Sequence, residues 1–410
     1  MVSEIGVSQA FACTETGSSF VAFAPKAYRS DWDSGHGNTE GNIMYSTGSW
    51  RAGARWMGLS VAASAGMLIG GLETAQADIS LPPITVGAGL QTNFYDCDKG
   101  CISSPGTIPS GDSSVNGFAL DSIRLYVNGT VTDQIKFTFN TEYTGSGTNT
   151  VGVLDAIGRF EFSDKLNFWA GRFLPPTDRA NLYGPYYAND WAPYVDGVAD
   201  FYPDVATGRD NGLAYWGQFG ILKVQVGAFD GGSLNSAVAD KSRLLTAARL
   251  MLDFWDPEPG YYLNGTYYGE KDILSLGLVG QNQNGKTAWN VDGLMEKKLP
   301  NLGVVSVEGE YMKDNGLTAA TPSDGWYGLA SYLFPQVIGI GKFQVLGKYS
   351  HKSIDATTLT PSDEVKTTEI NLNYIIKSFN ARVGLYFLDQ KDDITDLSKQ
   401  EYGLKLQLQI

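Results

Sequence analysis

Histidine and cysteine are nearly missing from this 410-residue chain, at 2 and 3 residues. Beyond residue 77 the sole histidine is His351, beside Lys352 and Ser353. A histidine-based triad therefore has one candidate and no supporting spacing, and a His/Cys metal site has too few donors. Neither a cofactor nor a metal is expected, and an enzyme is the lesser alternative. Positive charge is also short, with 30 Lys and Arg against 44 Asp and Glu. Without a basic stripe no nucleic-acid partner is expected. Apolar runs that could build a helical membrane bundle are lacking as well. What the chain has instead is 49 glycines and 22 tyrosines against 9 tryptophans. That mixture suits strands whose rings sit at a membrane interface, although a soluble β-protein could share it.

The N-terminal part has a separate character. Arg51 and Arg55 precede an apolar stretch from Met57 to Leu72, and Ala75-Gln76-Ala77 follows. A positive region, an apolar core short of a spanning length and small residues before a cleavage point make a signal-peptide layout. Residues 1–77 are thus expected to be a leader and signal peptide, cleaved after Ala77. A single membrane anchor is the alternative, and the shortness of the stretch argues against it. Residues 1–43 are polar and lack apolar periodicity, so the expected translation start is Met44 or Met57, leaving 1–43 untranslated. The segment 1–77 holds four of the basic and six of the acidic residues, so 78–410 carries a net charge of about −12. Cys97 and Cys101 remain in that portion, and an oxidising exported compartment favours a small disulfide loop over half of a metal site.

From Asp78 onward the apolar period is 2. Tyr402, Leu404, Leu406, Leu408 and Ile410 fall on one face, with Glu401, Lys405, Gln407 and Gln409 on the other. Ile135, Phe137, Phe139 and Tyr143 alternate with Lys136, Thr138, Asn140 and Glu142 in the same way. A tilted strand crosses the hydrocarbon layer in about 9–11 residues, close to the length of these segments. A β-sandwich could show such alternation, so the connections must discriminate. Backward from Ile410 they run long (389–399), tight (377–380), long (351–364), short (334–341), long (314–324) and short (298–303). That parity is expected of external loops and periplasmic turns in an outer-membrane barrel. A first count gives 17 strands. The weakest, Tyr261–Gly269, follows Trp255-Asp256-Pro257-Glu258-Pro259-Gly260, and 255–270 is read as one extended periplasmic turn. The expected fold is therefore all-β: an antiparallel transmembrane barrel of about 16 strands over 78–410, wide enough for an aqueous lumen.

The connection from Leu174 to Arg209 is too aromatic for a solvated tip, with Tyr183, Tyr186, Tyr187, Trp191 and Tyr194 among its rings. Long loops rich in buried-type residues are usually functional. It is expected to fold into the lumen as a constriction loop, its rings on the wall and Asp178, Arg179 and Asp190 touching the solute, with Arg209 at its end. An external loop at a subunit contact is the alternative.

Gly171-Arg172-Phe173-Leu174-Pro175-Pro176 at the start of this connection and Gly208-Arg209-Asp210-Asn211-Gly212 at its end carry a family likeness. Pro257-Glu258-Pro259-Gly260-Tyr261-Tyr262 and Gly265-Thr266-Tyr267-Tyr268-Gly269 support it. In these motifs, over roughly 84–410, the chain resembles the phosphate-selective porin O and P family. The resemblance implies a 16-stranded, usually trimeric diffusion channel in the bacterial outer membrane, with an inward-folded third loop. Its expected partners are outer-membrane lipid, small hydrophilic solutes or ions including anions such as phosphate, and further copies of itself in a homotrimer. Two departures stand out: no run of arginines and lysines matches the family's residue by residue, and Ile410 replaces the aromatic that commonly ends such barrels.

Alternation places charges of both signs inward. Arg124, Lys136, Arg159, Lys223, Arg249, Glu308 and Glu310 are expected to line the pore, and Arg172 is placed with them although its strand alternates poorly. Arginines gather early and carboxylates in the middle, which gives either two opposed walls that orient dipolar solutes or a set of solvated salt bridges. A plugged receptor or scaffold barrel is the remaining alternative.

Overall fold

The computed structural model describes residues 83–99, 114–143, 151–198, 208–231, 244–318, 321–357, 361–393 and 397–410. The expected signal peptide with its cleavage site, and Cys101, lie outside the described residues. Sixteen antiparallel strands close into one barrel, each paired with its sequence neighbour and β1 with β16. They are β1 (Ile84–Lys99), β2 (Val115–Thr130), β3 (Ile135–Tyr143), β4 (Val151–Ser163), β5 (Leu166–Phe173), β6 (Asp210–Phe219), β7 (Leu222–Phe229) and β8 (Leu245–Asp253). There follow β9 (Ile273–Gln283), β10 (Lys286–Leu299), β11 (Gly303–Asp314), β12 (Ser323–Leu333), β13 (Lys342–Ile354), β14 (Asp363–Lys377), β15 (Ala381–Asp392) and β16 (Leu397–Gln409). One short helix, α1 (Arg179–Tyr183), lies between β5 and β6. Closure gives every strand a partner on both sides, the condition for spanning hydrocarbon without exposed backbone donors.

The period-2 pattern turns into two unlike surfaces. Leu278, Val307, Leu372, Leu385 and Leu404 stand exposed on the outside. Above and below them run aromatic clusters, Trp289–Tyr311 and Trp326–Tyr349 towards the long-loop rim, Tyr332–Phe334 and Phe343–Tyr374 towards the short-turn rim. An aliphatic belt flanked by rings is what a bilayer selects, since amphipathic rings settle at headgroup level. The other face carries Arg124, Lys223, Arg249, Glu296, Glu308, Lys348, Glu369 and Arg382, all buried.

Strand count matches the sequence expectation, and Tyr261–Gly269 is not a strand. The expected alternation of long and short connections holds only in part: 334–341 is as long as 315–322 and 355–362, and β9 and β10 are joined on the long-loop rim by Asn284 and Gly285 alone. One difference concerns 389–399: β15 runs to Asp392 and β16 starts at Leu397, so that connection is short. Its polar residues stay paired, Asp389 with Gln400 and Lys391 with Ser398, because strands may project beyond the bilayer where charge costs nothing. His351 likewise sits within β13, its Nε2 3.3 Å from Glu364 Oε2 on β14, and not in a loop. Cys97, near the far end of β1, is disulfide-bonded.

Candidate pore

The β5–β6 connection, in its described residues 174–198, meets the buried face of the wall at many points. After Phe173, Asp178 caps α1 by accepting from Asn181 N at 2.9 Å. Arg179 N donates to Asp292 Oδ2 on β10 (3.1 Å), and Tyr183 Oη donates to Glu308 on β11 (3.0 Å). Tyr186 Oη donates to Ser122 Oγ on β2 (3.1 Å), while Gln407 on β16 donates to Tyr186 O (2.9 Å). Asp190 pairs with Lys348 on β13 (3.0 Å). Trp191 donates to Glu369 and Asn373 on β14 (2.8 and 2.7 Å), and its ring lies 4.1 Å beneath the Arg382 guanidinium. Gly384 makes room for that ring, because a Cβ there would come within 2.1 Å of Trp191 Nε1. Burial pushes the Tyr183 hydroxyl well above its ordinary pKa and that of Tyr186 up to about 12, so both remain donors.

A second connection, 254–272 between β8 and β9, reaches the same face. Glu258 is 0% exposed and pairs through both oxygens with Arg179, Nη1 to Oε2 at 2.9 Å. Lys223 Nζ donates to Glu258 O, and Gln225 Nε2 to Tyr261 O at 2.8 Å. Tyr261 Oη donates to Leu174 O (3.0 Å), and Gly265 N to Tyr187 O (2.9 Å). A Cβ on Gly265 would lie 2.9 Å from Asn189 N, so only glycine lets the two backbones approach this closely. Glu296 holds the far side, accepting from Thr266 Oγ1 (2.6 Å), Tyr267 N (3.1 Å) and Gly269 N (2.8 Å).

The wall residues named for the β5–β6 connection lie on β2, β10, β11, β13, β14, β15 and β16. Beside the inner face of β2–β5 a cavity of about 660 Å³ remains, lined by Arg124, Asn128, Thr138, Asp155, Arg159, Arg209, Tyr183, Tyr187, Tyr262, Asn264 and Tyr267 among others. Its guanidiniums each face a carboxylate: Arg124–Glu142 at 3.0 Å, Arg209–Asp155 at 3.4 Å and Arg159–Glu161 at 3.8 Å. Lys136 pairs with the same Glu161 at 2.9 Å.

Several expected site residues change role. Lys223, Arg249, Glu308 and Glu310 are on the inward face but buried and do not line the cavity; Lys223, Arg249 and Glu308 hold the two connections through Glu258 O, Thr177 O and Tyr183 Oη. Arg249, for example, clamps Asp292 at 2.5 and 2.6 Å. Asp178, Arg179 and Asp190, expected at the solute, are at most 1% exposed and serve as anchors. Arg172 is on the other face: it pairs in register with Ala156 and Asn211, in line with Phe160 and Phe168, so it is not a pore residue. Tyr183 and Trp191 pack on the wall, and Tyr183 also borders the cavity together with Tyr187 and Arg209. Sequence reading missed Tyr262, Asn264 and Tyr267, although their segment is as rich in tyrosine as the one singled out.

No protein-family model matches the chain, and comparison with curated proteins finds no match. Solved structures do match in fold. The chain is similar to an anion-selective porin from Comamonas acidovorans (TM-score 0.55, 14% identity, 80% of this chain and 99% of that one). It is also similar to the outer membrane channel DcaP of Acinetobacter baumannii (TM-score 0.53, 14% identity, 80% and 97%). A third is OprB of Pseudomonas putida (TM-score 0.53, 11% identity, 80% and 94%). At these identities the likeness is one of architecture: this chain has the closed 16-stranded barrel of outer-membrane porins.

Proposed function

We propose that the chain is an outer-membrane porin, a water-filled channel for passive diffusion of small hydrophilic solutes. It would be exported through a signal peptide cleaved after Ala77 and assembled as a homotrimer. The observation that carries this is the cavity along β2–β5, lined by charged and polar side chains within a wall whose outside is apolar. The connection 174–198 would cross the lumen and narrow it, leaving this wall as the route. Three guanidiniums against Asp155 in the lining support a preference for anions, as a member of the phosphate-selective O and P family would have. A second reading, a plugged barrel, draws on the extent to which two connections fill the inner face.

Ion preference tests the charge assignment. Neutralising Arg124, Arg159 and Arg209 together with glutamine leaves Glu142 and Asp155 without their cationic partners and Glu161 with Lys136 alone. The reversal potential in a salt gradient should then swing to strong cation preference. An unchanged potential would place these residues off the ion path.

A further inference from the structure

We propose that the β8–β9 connection, entering from the short-turn rim, forms the second jaw of the constriction, with Tyr262 and Asn264 as its specificity-determining residues. This rests on the channel reading above. A turn on that rim has no need to be long: the three that follow on it occupy 300–302, 334–341 and 378–380, against 254–272 here. Nor is this one a solvated flap. Glu258 and Tyr261 are buried, and the main chain is tied to the β5–β6 connection at Leu263 N–Leu182 O (3.3 Å) and Gly265 N–Tyr187 O (2.9 Å). The Arg179–Glu258 pair joins the two connections a third time, and Glu296 fixes the far end. The jaws therefore behave as one body held between β7, β10 and β11.

Tyr262 stands where that body meets the charged wall. Its ring packs edge-on to Trp169 of β5 (5.3 Å), and its hydroxyl donates to Asp155 Oδ1 on β4 at 3.5 Å. The same oxygen accepts from Arg209 Nε at 3.4 Å, so Tyr262 orients the ion pair a solute passes. Burial holds the Tyr262 hydroxyl well above its ordinary pKa, which keeps it a neutral donor. Asn264 is partly exposed and lines the same cavity with an amide that can donate or accept. A solute moving along β2–β5 thus meets guanidiniums on the wall and a phenol and an amide on this jaw.

The test is Asn264→Cys in a chain whose other cysteines are serine, reconstituted in a planar bilayer and exposed to a cationic or an anionic methanethiosulfonate. Both reagents should react, lower single-channel conductance at least twofold, and move the reversal potential in opposite directions. Unlabelled Tyr262→Ala should raise conductance. Labelling verified by mass without a change in current, or failure to label while Tyr187→Cys reacts and blocks, would overturn the second jaw and leave the channel intact. A protein that carries no current before labelling would overturn the channel reading, and this inference with it.

Discussion

Arg179→Ala should release the segment that narrows the lumen and lower the temperature at which the barrel unfolds in detergent. The substitution strands Glu258 fully buried, with Tyr267 Oη at 2.9 Å as a remaining donor. Removing one partner of a buried pair costs about 3–5 kcal/mol, because the other charge keeps its desolvation penalty without the compensating attraction. That energy falls on the tie between two connections, so single-channel current should grow larger and noisier while the strands stay paired. Replacing both partners, Arg179→Met with Glu258→Met, removes both buried charges and should recover most of the thermal stability. Melting followed by gel mobility, alongside bilayer recording, checks both parts. Equal damage from the single and double variants would show that the charges are not coupled.

Leu385→Arg should block assembly, whereas Asn128→Arg should be accepted. Leu385 is 55% exposed on the outside, paired with Leu372 and Leu404 between the two aromatic belts. Arginine at such a depth on the lipid face costs about 2–4 kcal/mol. Asn128 faces inward, where it accepts from Thr138 Oγ1 at 2.8 Å and borders the cavity, so a longer cation can extend into water. The yield of folded, heat-modifiable protein in outer-membrane fractions separates the two. Gln407, beside the outward Leu406, would be a poor inward control: it is completely buried, donating to Tyr186 O and Phe379 O. Comparable yields from the two variants would mean that the faces have been assigned the wrong way round.

The barrel was legible because its determinants are local. Period 2 in 401–410 and 135–143 follows from one wet and one greasy face on each strand. The same logic put Arg124, Lys136 and Arg159 on the correct face, since each lies in a regularly alternating stretch. It failed at Arg172, where Gly171 adopts φ 127 and the inward positions are marked by Asn167, Trp169 and Phe173. Which charges of the wall would be covered within the lumen was not legible. Whether Arg249 or Glu308 meets water depends on which connection lies over it, and that is fixed by partners such as Thr177 O and Tyr183 Oη, 72 and 125 residues away. Pairings across such distances leave no periodic trace. The β8–β9 connection did carry a signal, four tyrosines between Asp256 and Lys271, the same excess that marked 174–209 as a structured segment. Reading it as a turn explained its place in the strand count and left its rings without a role.

The most direct measurement of the account is the current carried by the purified, unmodified protein in a planar bilayer. Addition at nanogram amounts should produce discrete upward steps of uniform size, ohmic at low voltage, that shrink as larger uncharged polymers enter the bath. Folded, correctly inserted barrels that produce no steps in molar salt would contradict it, and would mean that the two connections close the lumen.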